Sequence, residues 1–130
     1  AEADRAFLAE VAALPETVGR LLDEQHFHLA LEAVFHAVRE ANGYITQQAP
    51  WALRKTDPAR MLVVLRHLHT ALRGFATVLI PFMPGSMAAL LDQLGVPEGE
   101  RGLANLAVPL PEGTALPPPA PLFRKIEIVV

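Results

Sequence analysis

An all-α fold is what this sequence predicts: an antiparallel bundle of three long helices plus a short fourth, with an extended proline-rich C-terminal tail wrapping back over it. Apolar residues recur at alternating spacings of four and three through three successive segments, turn and cap residues separate those segments, and prolines crowd in past residue 95. The alternation matters because a helical turn takes about 3.6 residues, so these side chains share one stripe.

The first stripe runs Phe7, Val11, Leu14, Val18 and Leu21. Pro15 threatens a kink within it, and the polar Asp23-Glu24-Gln25 supplies a turn. The second stripe runs Phe27, Leu31, Val34, Val38, Ala41 and Ile45, and Pro50 ends that helix. Thr56-Asp57-Pro58 combines a cap with a proline suited to a first turn, opening a third stripe of Met61, Leu65, Leu68, Leu72, Phe75 and Leu79. Pro81 and Pro84 end the third helix, and Ser86 to Leu94 forms the short fourth, closed by Gly95. Three stripes of similar length pack as a bundle with near-parallel, left-handed crossings. Residues 1–95 are therefore the bundle and 96–130 the tail, together one domain. The tail holds seven of the twelve prolines, yet its apolar ending, Ile126 to Val130, suits docking better than a free linker.

At 130 residues the chain is long enough for one self-sufficient core. It has no cysteine, which removes disulfides and thiolate metal sites and fits a reducing compartment, so the cytoplasm is the expected location. No signal peptide is expected, since no basic stretch followed by an apolar run stands near Ala1. The most apolar run, Met61 to Met83, contains Arg66 and Arg73, each costing roughly 3 kcal/mol at a bilayer centre, which argues against a membrane span. His26 and His28, like His67 and His69, are two apart, a spacing that splays rings on a helix, so no metal site is expected. Neither a glycine-rich phosphate loop nor a nucleophile elbow is present, and no catalytic residue is assigned.

The net charge of −3 argues against a general nucleic-acid binder. The distribution says more. Residues 1–40 hold eight acids and three bases, residues 41–90 one acid and five bases, and residues 91–130 five acids and three bases. The positive middle, Arg54, Lys55, Arg60, Arg66 and Arg73, adjoins the only tyrosine and the only tryptophan, in Asn42-Gly43-Tyr44-Ile45-Thr46-Gln47-Gln48-Ala49-Pro50-Trp51. A flat ring beside cations can stack an unpaired base, whereas at a helix junction the same ring can be a structural plug. Asn42 can pair with a base edge or with neighbouring backbone; Gln48 is a second amide candidate, and Pro50 shapes the approach to Trp51. Arg54 and Lys55 are candidate phosphate contacts, or simply a solvated pair. Tyr44 reads as structural, its ring in the core and its hydroxyl at the rim.

The Asn-x-Tyr-Ile of residues 42–45, Pro50-Trp51 and Leu53-Arg54-Lys55 together resemble a segment of the helical anticodon-binding domain of methionyl-tRNA synthetases. Leu79-Ile80-Pro81-Phe82-Met83-Pro84 with Gln93-Leu94-Gly95, and Leu122-Phe123-Arg124-Lys125-Ile126-Glu127, resemble two further stretches of that family, in family order. The resemblance implies that Trp51 contacts the first anticodon base, and the residue pattern adds Asn42, Gln48 and Pro50 as anticodon-binding candidates beside it. The resemblance implies as partners the anticodon loop of methionine tRNA and the enzyme's own catalytic domain. It also implies that this chain is the part of a methionine–tRNA ligase that reads CAU, while ATP and magnesium are handled in a catalytic core.

The family's ATP signatures, His-x-Gly-His and Lys-Met-Ser-Lys-Ser, are missing, so the chain is expected to be inactive alone. An asparagine and an arginine that the family places on the preceding helix are expected to lie before Ala1. Thr46 stands where many members carry an acid, Gly43 sits within a helix, and Arg124-Lys125 replaces the usual Pro-Arg. Two alternatives accompany this reading: the anticodon-binding domain of another class I synthetase, and a non-enzymatic helical protein-interaction module.

Overall fold

The computed structural model describes residues 1–107 and 113–123. Among the described residues five α-helices carry the fold: α1 (Glu2–Asp23), α2 (Phe27–Gln48), α3 (Pro50–Thr56), α4 (Pro58–Leu79) and α5 (Pro84–Gln93). Among the described residues there is no strand. The bundle of three long helices stands as expected, with α1, α2 and α4 in mutual contact and α5 packed on α4. A short helix, α3, is additional. Pro50 does not merely stop α2, which ends at Gln48; it opens α3 at the first helical position, where its missing N–H costs nothing. Pro84 likewise opens α5, two residues earlier than the expected start at Ser86.

All five members of the α1 stripe are buried, and α1 runs unbroken through Pro15. The other two stripes are rotated from expectation. On α2 the buried line is Ala30, Val34, Ala37, Ala41 and Tyr44, which leaves Phe27 exposed. On α4 the inward positions include Val64, Ala71, Phe75 and Val78, while Leu65 and Leu72 are 44% and 42% exposed. The period is right and the phase is not, because small alanines face the neighbouring helices and permit close approach.

Two helix ends use the same backbone device. At α1, His26 N–H bonds Leu21 C=O at 2.8 Å and Gln25 N–H bonds Leu22 C=O at 3.0 Å, with Gln25 at φ 61°. At α5, Val96 N–H bonds Leu91 C=O at 3.0 Å, and Gly95 N–H bonds Asp92 C=O at 3.1 Å, with Gly95 at φ 74°. This is the Schellman arrangement, and buried Val96 and Leu91 supply the apolar contact that accompanies it.

The tail is not wholly extended: 3-10 turns occupy Glu98–Glu100 and Leu103–Ala107. It is tied to the bundle where Arg73 donates to Glu100 C=O at 3.0 Å and Gln93 Nε2 donates to Ala120 C=O at 2.8 Å. The closing segment Arg124 to Val130 lies outside the described residues.

Candidate nucleic-acid interface

The site is an elbow. α2 is closed by the cap residue Ala49, whose φ of 46° and ψ of 63° lie in the left-handed region, and the same residue caps the start of α3. An L-residue there costs about 1–2 kcal/mol. The strain is held by hydrogen bonds on both sides: Ala49 N–H to Ile45 C=O at 2.9 Å, and Leu53 N–H to Ala49 C=O at 3.2 Å. Pro50 is buried, so its ring braces the elbow from within and does not present itself to a ligand.

Trp51 follows immediately and is 64% exposed. That exposure excludes the structural plug: the ring is displayed. Leu53 turns back against the core, while Arg54 and Lys55 on the last turn of α3 point into solvent, with no ion pair to either among the described residues. Asp57 caps the next helix, its Oδ1 accepting from Arg60 N–H at 3.1 Å.

Asn42 and Gln48 are not brought together. Six residues apart, they lie about 120° apart around the helix. Asn42 is exposed; its carbonyl accepts from Thr46 Oγ1 at 3.0 Å, and its side-chain amide bonds no described residue. Gln48, half-buried, turns inward, and its Oε1 accepts from Arg60 Nη2 at 2.8 Å.

Behind the elbow lies a polar cluster that sequence reasoning missed. Arg60 grips the carboxylate of Asp4 through two parallel bonds, Nη1 to Oδ2 at 2.6 Å and Nη2 to Oδ1 at 2.7 Å. Tyr44, its ring stacked on Phe7 with centroids 4.3 Å apart, donates its hydroxyl to Asp4 Oδ1 at 2.6 Å. His67 Nδ1 is 3.2 Å from that hydroxyl. A phenol has one proton, already given to Asp4, so His67 is the donor in that contact. Arg60's hydrogen bonds hold the Asp4 carboxyl well below the usual carboxylate range, against the opposing effect of burial. Burial first, and Asp4 second, push the Tyr44 hydroxyl up to about 12. The Arg60 guanidinium is raised by its bond to Asp4. The cluster ties α1, α2 and α4 together at the end of the bundle that carries the elbow. Forty residues separate Asp4 from Tyr44, and 56 separate it from Arg60, so no local pattern could have joined them.

Between α1 and α2, Phe7 and Tyr44 also line an open cleft of about 470 Å³ with Glu10 and Glu40 among its walls. Two carboxylates make it a poor seat for phosphate. Among the described residues no group of three His, Cys, Asp or Glu side chains could hold a metal ion, and no helix is long and apolar enough to cross a membrane.

A bundle with a displayed ring and two cations at one elbow has the form of a binding module for a flat, anionic ligand. Comparison with known proteins gives the family. Residues 1–128 match the model of the anticodon binding domain of methionyl tRNA ligase. The methionine–tRNA ligase of Brucella suis biovar 1 is 49% identical over 125 residues, 95% of this chain and 24% of that protein. The enzyme of Mycobacterium tuberculosis is 40% identical over 131 residues, 98% of this chain and 25% of that protein. Its free-state crystal structure superposes with a TM-score of 0.93, covering 98% of this chain and 26% of that one; the form bound by methionyl-adenylate gives 0.91. The chain belongs to the anticodon-binding domain family of methionyl-tRNA ligases. It spans about a quarter of the length of these relatives.

Proposed function

We propose that this chain recognises the CAU anticodon of methionine tRNA as one part of a methionine–tRNA ligase. The observation that carries this is Trp51: a large ring 64% exposed on a strained, braced elbow, followed by Arg54 and Lys55. A globular domain gains nothing in stability by displaying its only tryptophan, whereas a base stacked on it contributes about 1–3 kcal/mol. Asn42 and Gln48 offer hydrogen bonds to base edges, and Arg54 and Lys55 offer contacts to phosphate.

Attachment of methionine to tRNA, with ATP and magnesium, is assigned to a catalytic core outside these residues, and the compartment to the cytoplasm. Binding energy collected at the anticodon would position the acceptor end for transfer, raising the rate and not only the affinity. The apolar side chains that α4 leaves exposed, Leu62, Leu65 and Leu72, support the reading that the catalytic core covers this face.

The test is a fluorescence titration of the complete enzyme with a methionine anticodon stem-loop, beside a loop changed at the first anticodon base. Trp51→Ala should weaken binding of the cognate loop by about 5- to 150-fold, equivalent to about 1–3 kcal/mol, and leave helical circular dichroism intact. Unchanged affinity in Trp51→Ala would remove the stacking role.

A further inference from the structure

The hydrogen bonds behind the elbow constrain what Gln48 can say to a ligand. An arginine guanidinium carries donors only, so the atom of Gln48 that meets Arg60 Nη2 at 2.8 Å must be the amide oxygen. Arg60 is in turn immobilised by both oxygens of Asp4, at 2.6 and 2.7 Å, and Asp4 is held from the other side by Tyr44. The amide of Gln48 therefore cannot rotate end for end without placing its N–H groups against a cation. Its Nε2 group, which bonds no described residue, is the end left for a ligand, on the last residue of α2 and three positions before the displayed ring of Trp51.

We infer that Asp4 and Arg60 are positioning residues that make Gln48 a donor-only reader, committed to an acceptor on the anticodon base stacked at the elbow: a ring nitrogen or an exocyclic carbonyl oxygen. This rests on the anticodon reading above and adds a polarity to it. A free glutamine offers both a donor and an acceptor and tolerates base edges of either sense. A clamped one rejects an edge that presents a donor, because two N–H groups then face each other unpaired. Cytosine presents acceptors at N3 and O2 beside its N4 amino donor, so the clamped amide would meet it at N3 or O2. The selectivity would thus be set partly by α1 and α4, through residues that never touch RNA.

Gln48→Glu separates the two roles of this side chain. Glutamate still gives Arg60 an oxygen, so the network and the fold survive, but it has no N–H to offer. Affinity of the complete enzyme for the cognate stem-loop should fall about tenfold, with the thermal midpoint unchanged or raised, and the loss should persist at high salt, where added negative charge is screened. Arg60→Met, which frees the amide, should narrow the affinity ratio between the cognate loop and one changed at its first base. Trp51→Ala is run in parallel. If Trp51→Ala weakens binding while Gln48→Glu binds like the parent, or loses affinity only at low salt, the donor role is overturned and the anticodon reading stands. If neither substitution changes binding, the anticodon reading falls and this inference with it.

Discussion

Arg60→Met should destabilise the bundle by an amount set by one orphaned carboxylate. The Asp4 side chain is 8% exposed and that of Arg60 24%. Breaking a buried ion pair from one side costs about 3–5 kcal/mol. Two features place this case at the low end: Arg60 keeps a quarter of its surface in water, and the Tyr44 hydroxyl still donates to Asp4 Oδ1 at 2.6 Å. About 3 kcal/mol is therefore expected, or roughly 10 °C in midpoint for a domain of this size. Asp4→Asn should cost less, about 2 kcal/mol, since asparagine Oδ1 still accepts from Tyr44. The decisive quantity is their combination. Asp4→Asn with Arg60→Met buries no unpaired charge, so the double variant should be about 2 kcal/mol more stable than the two losses added together. Urea unfolding followed by helical circular dichroism at neutral pH measures all four proteins. Losses that add within about 0.5 kcal/mol would refute the assignment of a coupled, buried pair.

The same carboxylate predicts a pH dependence. In the unfolded chain Asp4 takes up its proton near the ordinary value of 3.8, whereas the folded protein keeps it ionised to lower pH. The unfolded state therefore binds more protons, and stability should decline as the pH drops below about 4; Asp4→Asn should flatten that decline in urea midpoints taken between about pH 5 and pH 2. At the other end of the fold, Gly95 sits at φ 74° with a would-be Cβ only 2.9 Å from Leu116 Cδ2. Gly95→Ala should cost about 1–2 kcal/mol for the backbone alone, and adding Leu116→Ala should recover only what the clash contributes; no loss of midpoint would mean that this end of α5 re-forms freely.

What was legible in the sequence, and what was not, divides along a physical line. Helix periodicity and breakers are local, so α1, the capped start of α4 and the glycine closure of α5 could be read directly. The phase of a stripe is not local. Leu65 and Leu72 look like core and are exposed, because Ala71 and its small neighbours let α4 approach the other helices along a different line. Pro50 shows a related ambiguity: a proline that ends one helix can begin the next, and only the left-handed turn at Ala49 decides which. Of the candidate site, Trp51 was legible as a lone ring beside cations. Its display was not, since a junction can hide a ring or present it. The cluster of Asp4, Tyr44, Arg60 and His67 had no sequence signal, because each member alone resembles an ordinary surface or rim residue.

That cluster also changes the meaning of the charge pattern. The middle of the chain reads as a basic stretch of five cations, but Arg60 is committed to Asp4 and Gln48, and Arg73 is buried, donating to the Glu100 carbonyl. Arg66 is exposed on α4, and Arg54 and Lys55 are the exposed pair beside the ring. On the proposed reading, a surface with two such cations would not hold RNA by general attraction, and specificity would come from stacking and directed hydrogen bonds at the elbow. Each phosphate contact on a single strand contributes a salt slope of about −0.7, so Arg54→Ala with Lys55→Ala should flatten the dependence of log affinity on log salt by about 1.4 in the complete enzyme. The ratio between cognate and first-base-changed loops should stay as it was, because phosphates carry no sequence information. A slope unchanged by the double substitution would mean that both cations remain solvated in the complex; a collapsed ratio would mean that they touch a base.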